Sequence, residues 1–147
     1  MDCDASSVGL GAVISHIFPS GEERPIAFAS RTLLSSECNY SQIEKEALAI
    51  IFGIRKFHQY LYAQKFTLVT DQQPLTTIFR PKRALPTLAA ARIQRWAILL
   101  AAYNYEVKYH STKEHTNADA LSRLPLEQRG KRVQPPILMF IRLKCYV

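Results

Sequence analysis

Apolar residues recur along this 147-residue chain in two periods, and the switches between them lay out its elements. Val8–Phe18 is Gly-punctuated and rich in β-branched residues, which predicts a strand entered by a turn near Ser6–Ser7. Pro19-Ser20-Gly21-Glu22 is turn chemistry. Ile26, Phe28 and Ser30 then alternate through Ile26–Arg31 as a return strand, so the N-terminal part reads as an antiparallel meander. At Ser41 the period changes. Ser41-Gln42-Ile43-Glu44 fits a capping box, and Ile43, Ala47, Ile50, Ile54, Phe57 and Leu61 fall on one helical face. Phe66–Asp71 predicts a short strand which, following a long helix, pairs in parallel with the meander through a crossover.

Pro74–Phe79 predicts a short helix, Arg80–Pro86 a basic loop, Thr87–Tyr103 a second long helix containing Trp96, and Tyr105–Tyr109 a last strand. Thr116 or Asn117 caps a final helix that runs to about Leu124, ahead of Pro125. The chain is therefore α/β, a five-stranded mixed sheet with helices packed on it. Residues 1–125 form one domain. Residues 126–147 keep no steady period and include Pro135-Pro136, and they read as a poorly ordered basic tail.

Charge refines this picture. The net charge is +7, but residues 1–125 carry only +3 and the last 22 residues carry +4. Between Asp71 and Glu106 there is no acid, while Arg80, Lys82, Arg83, Arg92 and Arg95 fall there. That strip is either a solvated helix face with its loop or a set of phosphate contacts for a nucleic acid. Cys3, Cys38 and Cys145 lack metal-type spacing and read as free thiols of a reducing compartment. No signal peptide precedes the first strand, and Ile137–Ile141 is too short to span a bilayer, so the expected setting is intracellular, cytoplasmic or nuclear, without a membrane partner.

Four acids stand at element ends or first turns. They are Asp4 on the first strand, Glu46 early in the long helix, Asp71 at the end of the fourth strand and Asp119 opening the last helix. Each has a plain structural explanation alone, as a turn acid, a dipole partner or a surface residue. Together they could hold two Mg²⁺ ions roughly 3.5–4 Å apart, an arrangement that hydrolyses phosphodiesters. The helical wheel does not separate Glu46 from Glu44, because the two flank opposite edges of the apolar stripe.

Several segments, taken in order, resemble the ribonuclease H domain of gypsy-type LTR retrotransposons. They are Asp4-Ala5-Ser6 with Gly9-Leu10-Gly11-Ala12-Val13, Pro25–Arg31, Tyr40–Ile50, and Thr70-Asp71 followed by Pro74-Leu75. Arg92-Ile93-Gln94-Arg95-Trp96 and Asn117–Pro125 complete the set, which covers about residues 2–125. Any one motif is weak; their order is what is specific.

The resemblance implies a ribonuclease H-like fold with sheet order 3-2-1-4-5, and hydrolysis of the RNA strand of an RNA–DNA hybrid. It assigns Asp4, Glu46, Asp71 and Asp119 to the metal-binding acids, and so selects Glu46 over Glu44. Asp4 would bridge two Mg²⁺ ions (Mn²⁺ being the alternative), Glu46 and Asp71 would hold one each, and Asp119 would complete the site on the water-activating ion. The hybrid would be chosen by its shape and its 2′-hydroxyls. The polymerase domain of a parent polyprotein is the implied protein partner.

The chain departs from the family in three places. Its first strand is short ahead of Asp4, Ser111-Thr112 stand where the family has Pro-Gly, and residues 126–147 match nothing that follows the domain. His110 and His115 lie in the loop where many ribonucleases H carry a histidine, though neither falls on a fixed motif position. The competing expectation is a catalytically inactive relic, or a co-opted nucleic-acid-binding module of the same fold.

Overall fold

The computed structural model of the chain describes residues 1–80, 91–110 and 144–145. Its first three strands are β1 (Asp2–Ala5), β2 (Gly9–Ile17) and β3 (Glu23–Thr32), a meander as the alternation predicts. Ser6 closes the first turn by accepting the Gly9 N–H on its hydroxyl at 3.0 Å. The second turn needs Gly21, whose φ of 84° suits a residue without a Cβ.

The alternation Ile26, Phe28, Ser30 marks the return strand, but its apolar members face outward, 47% and 52% exposed. Ala27 and Ala29 turn inward instead, paired with Ile14 and Ala12 and packed against the core. Small side chains there leave room for a helix close to the sheet. A bulge between Ile14 and Ser15 places Ile26 outside the regular pairing, next to Pro25, which has no N–H to contribute to a ladder.

Helices α1 (Ser35–Cys38), α2 (Gln42–Lys56) and α3 (His58–Leu61) lead to β4 (Lys65–Thr70). The capping box opens α2 where the sequence places it, with Glu44 Oε2 accepting the Ser41 N–H at 3.1 Å and its hydroxyl at 2.9 Å. Helix α2 packs on β1 and β2, and Ala47, Ile50, Ile51 and Ile54 are fully buried there or nearly so. Helix α1, which the hydrophobic pattern does not announce, is fastened by a buried carboxylate. Glu37 accepts from both terminal nitrogens of the Arg31 guanidinium, at 2.6 and 2.8 Å, and from the Leu34 N–H at 2.8 Å. The Arg31 hydrogen bonds hold the Glu37 carboxyl below the usual range against the opposing effect of burial.

Helices α4 (Gln73–Ile78) and α5 (Ala91–Leu100) connect β4 to β5 (Asn104–Tyr109), which pairs in parallel with β4 from Lys65↔Asn104 to Thr70↔Tyr109. With β1 antiparallel to β2 and parallel to β4 at Asp2↔Val69, the five strands run 3-2-1-4-5. A sixth, β6 (Lys144–Cys145), lies between β2 and β4. This part of the expected 126–147 tail is within the described residues, and it belongs to the sheet; the helix expected up to Leu124 lies outside them. No helix among the described residues is long and apolar enough to cross a membrane.

The far side of β5 is locked by Tyr105, which is buried and donates its hydroxyl to the Phe79 carbonyl at 2.7 Å. Burial pushes this phenol up to about 12, so it stays a donor across the working pH range. Tyr105→Phe leaves the Phe79 carbonyl without this donor, and the expected cost is about 1–3 kcal/mol, measured as a lower denaturant midpoint with an unchanged slope.

Candidate active site

Three of the four predicted acids lie at the same end of the sheet, for topological reasons. Because β1 and β4 are parallel, their C-terminal ends emerge side by side, with Asp4 near the end of one and Asp71 directly after the other. Helix α2 begins over the same end, since the Gln42 side chain donates to the Ala5 carbonyl at 3.1 Å. One turn into α2, the side chain of Glu46 is brought to the two aspartates.

Glu46 is only 2% exposed. Burial raises its pKa first, and the nearby charges of Asp4 and Asp71 raise it further. Hydrogen bonds from Gln42, at 2.8 Å to Oε1, and from the Ala5 backbone work the other way, and the carboxyl ends at about 9. Its second oxygen, Oε2, is buried without a hydrogen-bond partner among the described residues, as is Oδ1 of Asp71. Buried carboxylate oxygens normally find donors, so two orphaned ones beside a third acid leave room for a cation. Among the described residues, no group of three or more His, Cys, Asp or Glu side chains is gathered closely enough to hold a metal ion. Asp119 lies outside those residues.

The structure separates the two helix acids that the wheel leaves level. Glu44 turns away from the acidic end and is occupied twice, by the cap at Ser41 and by Arg92 at 2.5 Å. Burial opposes its ionisation, but the Ser41 hydrogen bonds and the Arg92 charge outweigh it and hold the pKa below the usual range. Gln42 escaped the sequence reading. Its position four residues before Glu46 is the one available signal, since side chains at that spacing meet on a helix.

The basic strip is divided. Arg92 is engaged with Glu44 and lies 3.9 Å from the centre of the Tyr40 ring, joining α5 to the start of α2. Arg80, after α4, and Arg95, on α5, are exposed. Lys82 and Arg83 fall outside the described residues, as does His115. The backbone N–H of His110 donates to the Thr70 carbonyl at 3.1 Å, which puts this residue beside the strand end that carries Asp71. Cys3, behind the acidic end, is a buried free thiol whose pKa burial raises well above the usual value, and Cys38 is an exposed free thiol.

Residues 1–103 match the RNase H-like domain found in reverse transcriptase. The chain is also similar to the retrovirus-related Pol polyproteins of two Drosophila melanogaster transposons. It is 40% identical to that of transposon 297 over 125 residues, covering 85% of the chain and 11% of the relative. To that of transposon gypsy it is 40% identical over 121 residues, 82% of the chain and 11% of the relative. The Tf2-3 polyprotein of Schizosaccharomyces pombe is 31% identical over 130 residues, 84% of the chain and 9% of the relative. The chain thus spans about a tenth of the length of the curated relatives it matches.

Proposed function

Because the chain belongs to the RNase H-like domain family of reverse transcriptases, we propose that it hydrolyses the RNA strand of RNA–DNA hybrids at the end of the sheet that carries Asp4, Glu46 and Asp71. The observation that carries this reading is Glu46, a buried acid facing two others with one oxygen unsatisfied. Such a group opposes folding unless a cation compensates it.

RNase H-like domains use divalent metals, and this donor set suits a hard one, since carboxylate oxygens are what Mg²⁺ takes. Asp4, Glu46 and Asp71, with Asp119 as the fourth, would hold two Mg²⁺ ions, or Mn²⁺ in their place. When bound, the pair supplies an activated water and relief of charge on the leaving oxygen.

The protein's part is to aim the acids. Gln42 fixes Oε1 of Glu46 and ties the helix to β1, which leaves Oε2 as the oxygen available to a cation. The parallel β1–β4 pair holds Asp4 on a strand and Asp71 at the residue that directly follows one, so both are anchored to the sheet. Arg80, Lys82, Arg83 and Arg95 are the proposed phosphate contacts. Arg92 joins them only if it releases Glu44. Such contacts carry affinity without base preference, as fits an enzyme that reads the shape of a hybrid. A polymerase domain elsewhere in a longer polyprotein would produce the hybrid, in the cytoplasm or nucleus.

The test is incubation of the folded protein with a labelled RNA–DNA hybrid and Mg²⁺, beside Asp71→Asn. Cleavage of the RNA strand by the unaltered protein, lost in the variant, is expected. A folded, hybrid-binding protein that cleaves nothing in either metal would instead be a binding module of this fold.

A further inference from the structure

Between Glu46 and Asp71 the chain carries no acid, yet it carries Arg55, Lys56 and Lys65. The fold gathers these three at one end of the domain. Helix α2 starts over the end of the sheet that carries the acids and finishes at Lys56, while β4 starts at Lys65 and runs toward Asp71. The six residues of β4 span about 20 Å, so this basic end stands well apart from Asp4, Glu46 and Asp71. All three cations are exposed, and none forms an ion pair among the described residues. By contrast, Arg24, Arg31, Arg92 and Lys108 each hold a carboxylate. Glu106 on β5 feels the Lys65 charge, but it is already engaged by the Thr67 hydroxyl at 3.0 Å and by Lys108 at 3.3 Å.

Aromatic rings stand among these cations. Tyr62, directly after α3, is 62% exposed. Its ring lies 5.1 Å from that of His58, whose Nδ1 is hydrogen-bonded to the Tyr103 hydroxyl at 2.7 Å. Burial raises the Tyr103 phenol above its usual value and the Arg55 charge opposes that shift, which places Arg55 beside the same rings. The turn that presents Tyr62 is fixed. Ala63 has a φ of 61°, a left-handed conformation that a residue with a Cβ keeps only where its surroundings over-determine it. Leu61 and Phe66 are buried on either side of it, and the Tyr62 and Gln64 N–H groups donate to the His58 and Leu61 carbonyls at 2.9 and 3.2 Å. Tyr62 therefore offers its ring to solvent from an ordered backbone, which lowers the entropy cost of binding through it.

We propose that this end of the domain is a second nucleic-acid site, one that takes a single strand: Arg55, Lys56 and Lys65 contact its phosphates, and Tyr62 stacks on an unpaired base. Cations interleaved with aromatic faces bind unpaired strands without base preference, because every base has a face to stack. A duplex keeps the faces of its bases covered and offers Tyr62 nothing. The site needs no metal, and it stands or falls separately from hydrolysis at the acids.

The test is fluorescence anisotropy of the full-length chain with a labelled oligothymidylate of about 15 nucleotides, in chelator. Combining Arg55→Gln, Lys56→Gln and Lys65→Gln is expected to weaken binding at least about tenfold. It should also lower the slope of log affinity against log salt by about 2, the sum of three single-strand phosphate contacts at about 0.7 each. Tyr62→Ala is expected to weaken binding by about 5- to 100-fold and to leave the slope unchanged. The altered side chains are exposed, so both variants should melt with the unaltered chain. Oligouridylate that responds in the same way extends the site to RNA. Unchanged affinity in both variants, or an effect of the cations with none of Tyr62, overturns the proposal. A blunt DNA duplex that binds as tightly and loses as much in Tyr62→Ala overturns the preference for a single strand. Displacement of the oligonucleotide by polyglutamate at equal charge concentration assigns the surface to an acidic protein instead. Cleavage of a blunt RNA–DNA hybrid by the glutamine variant should be unchanged; a matching loss there would put these cations in the hydrolytic site and overturn a separate one.

Discussion

Glu46→Gln is expected to stabilise the metal-free domain at alkaline pH while reducing RNA-strand cleavage by on the order of 10²–10³-fold, the scale of losing one preorganised electrostatic group. An unfolded glutamate titrates near 4.5 and folded Glu46 near 9. Between those values the folded protein keeps a proton that the unfolded chain has released. Raising the pH through this window therefore favours unfolding, whereas below about 4.5 both states are protonated and the effect disappears.

Glutamine keeps the shape and an acceptor for Gln42 but carries no charge to desolvate, so the pH-dependent loss should vanish. The check is a series of thermal melts in chelator from pH 5 to pH 9, run on both proteins. Parallel curves would show that Glu46 is not the group responsible. A divalent ion should remove much of the difference by stabilising the unaltered protein alone, and this separates a metal ligand from a merely buried acid. A variant that gains stability and loses turnover fits a site whose strain serves chemistry.

Phe66→Ala is expected to have the largest effect on folding. Phe66 is 1% exposed on β4, with the Tyr105 ring nearly parallel at 5.9 Å and the Tyr103 ring edge-on at 6.4 Å. Removing it leaves a cavity in the core beside these two rings, and the expected cost is about 3–5 kcal/mol. Against a typical domain stability of about 5–15 kcal/mol, that takes much of the margin. Denaturant unfolding followed by Trp96 fluorescence would measure it. A loss below about 1 kcal/mol would mean that the aromatic cluster repacks.

The elements were legible from local signals because those signals are strong here. The capping box at Ser41, the turn at Gly21, the 3.6-residue stripe of α2 and the order of the β–α units are each set by residues within a few positions of one another. The inward turn of Ala27 and Ala29 was not legible, because it depends on what packs above β3, and alanine carries little pattern of its own. Helix α1 was missed for a related reason. It is held by Glu37 on Arg31, a pairing that hydrophobic periodicity does not register.

By itself, the sequence determined a five-stranded α/β sheet, a run of acids at element ends and, through its ordered motifs, a family. Local periodicity and turn chemistry are sufficient for the first two. The resemblance selects Glu46 over Glu44, and only the tertiary structure supplies a physical reason for that choice. Glu44 and Glu46 flank opposite edges of the stripe on a wheel; in the fold Arg92 and Ser41 capture one, while the other is held by Gln42 and feels the charges of Asp4 and Asp71. The same holds for Lys144–Cys145. A two-residue strand has no period to read, and its pairing with β2 and β4 is a contact between residues far apart in the sequence.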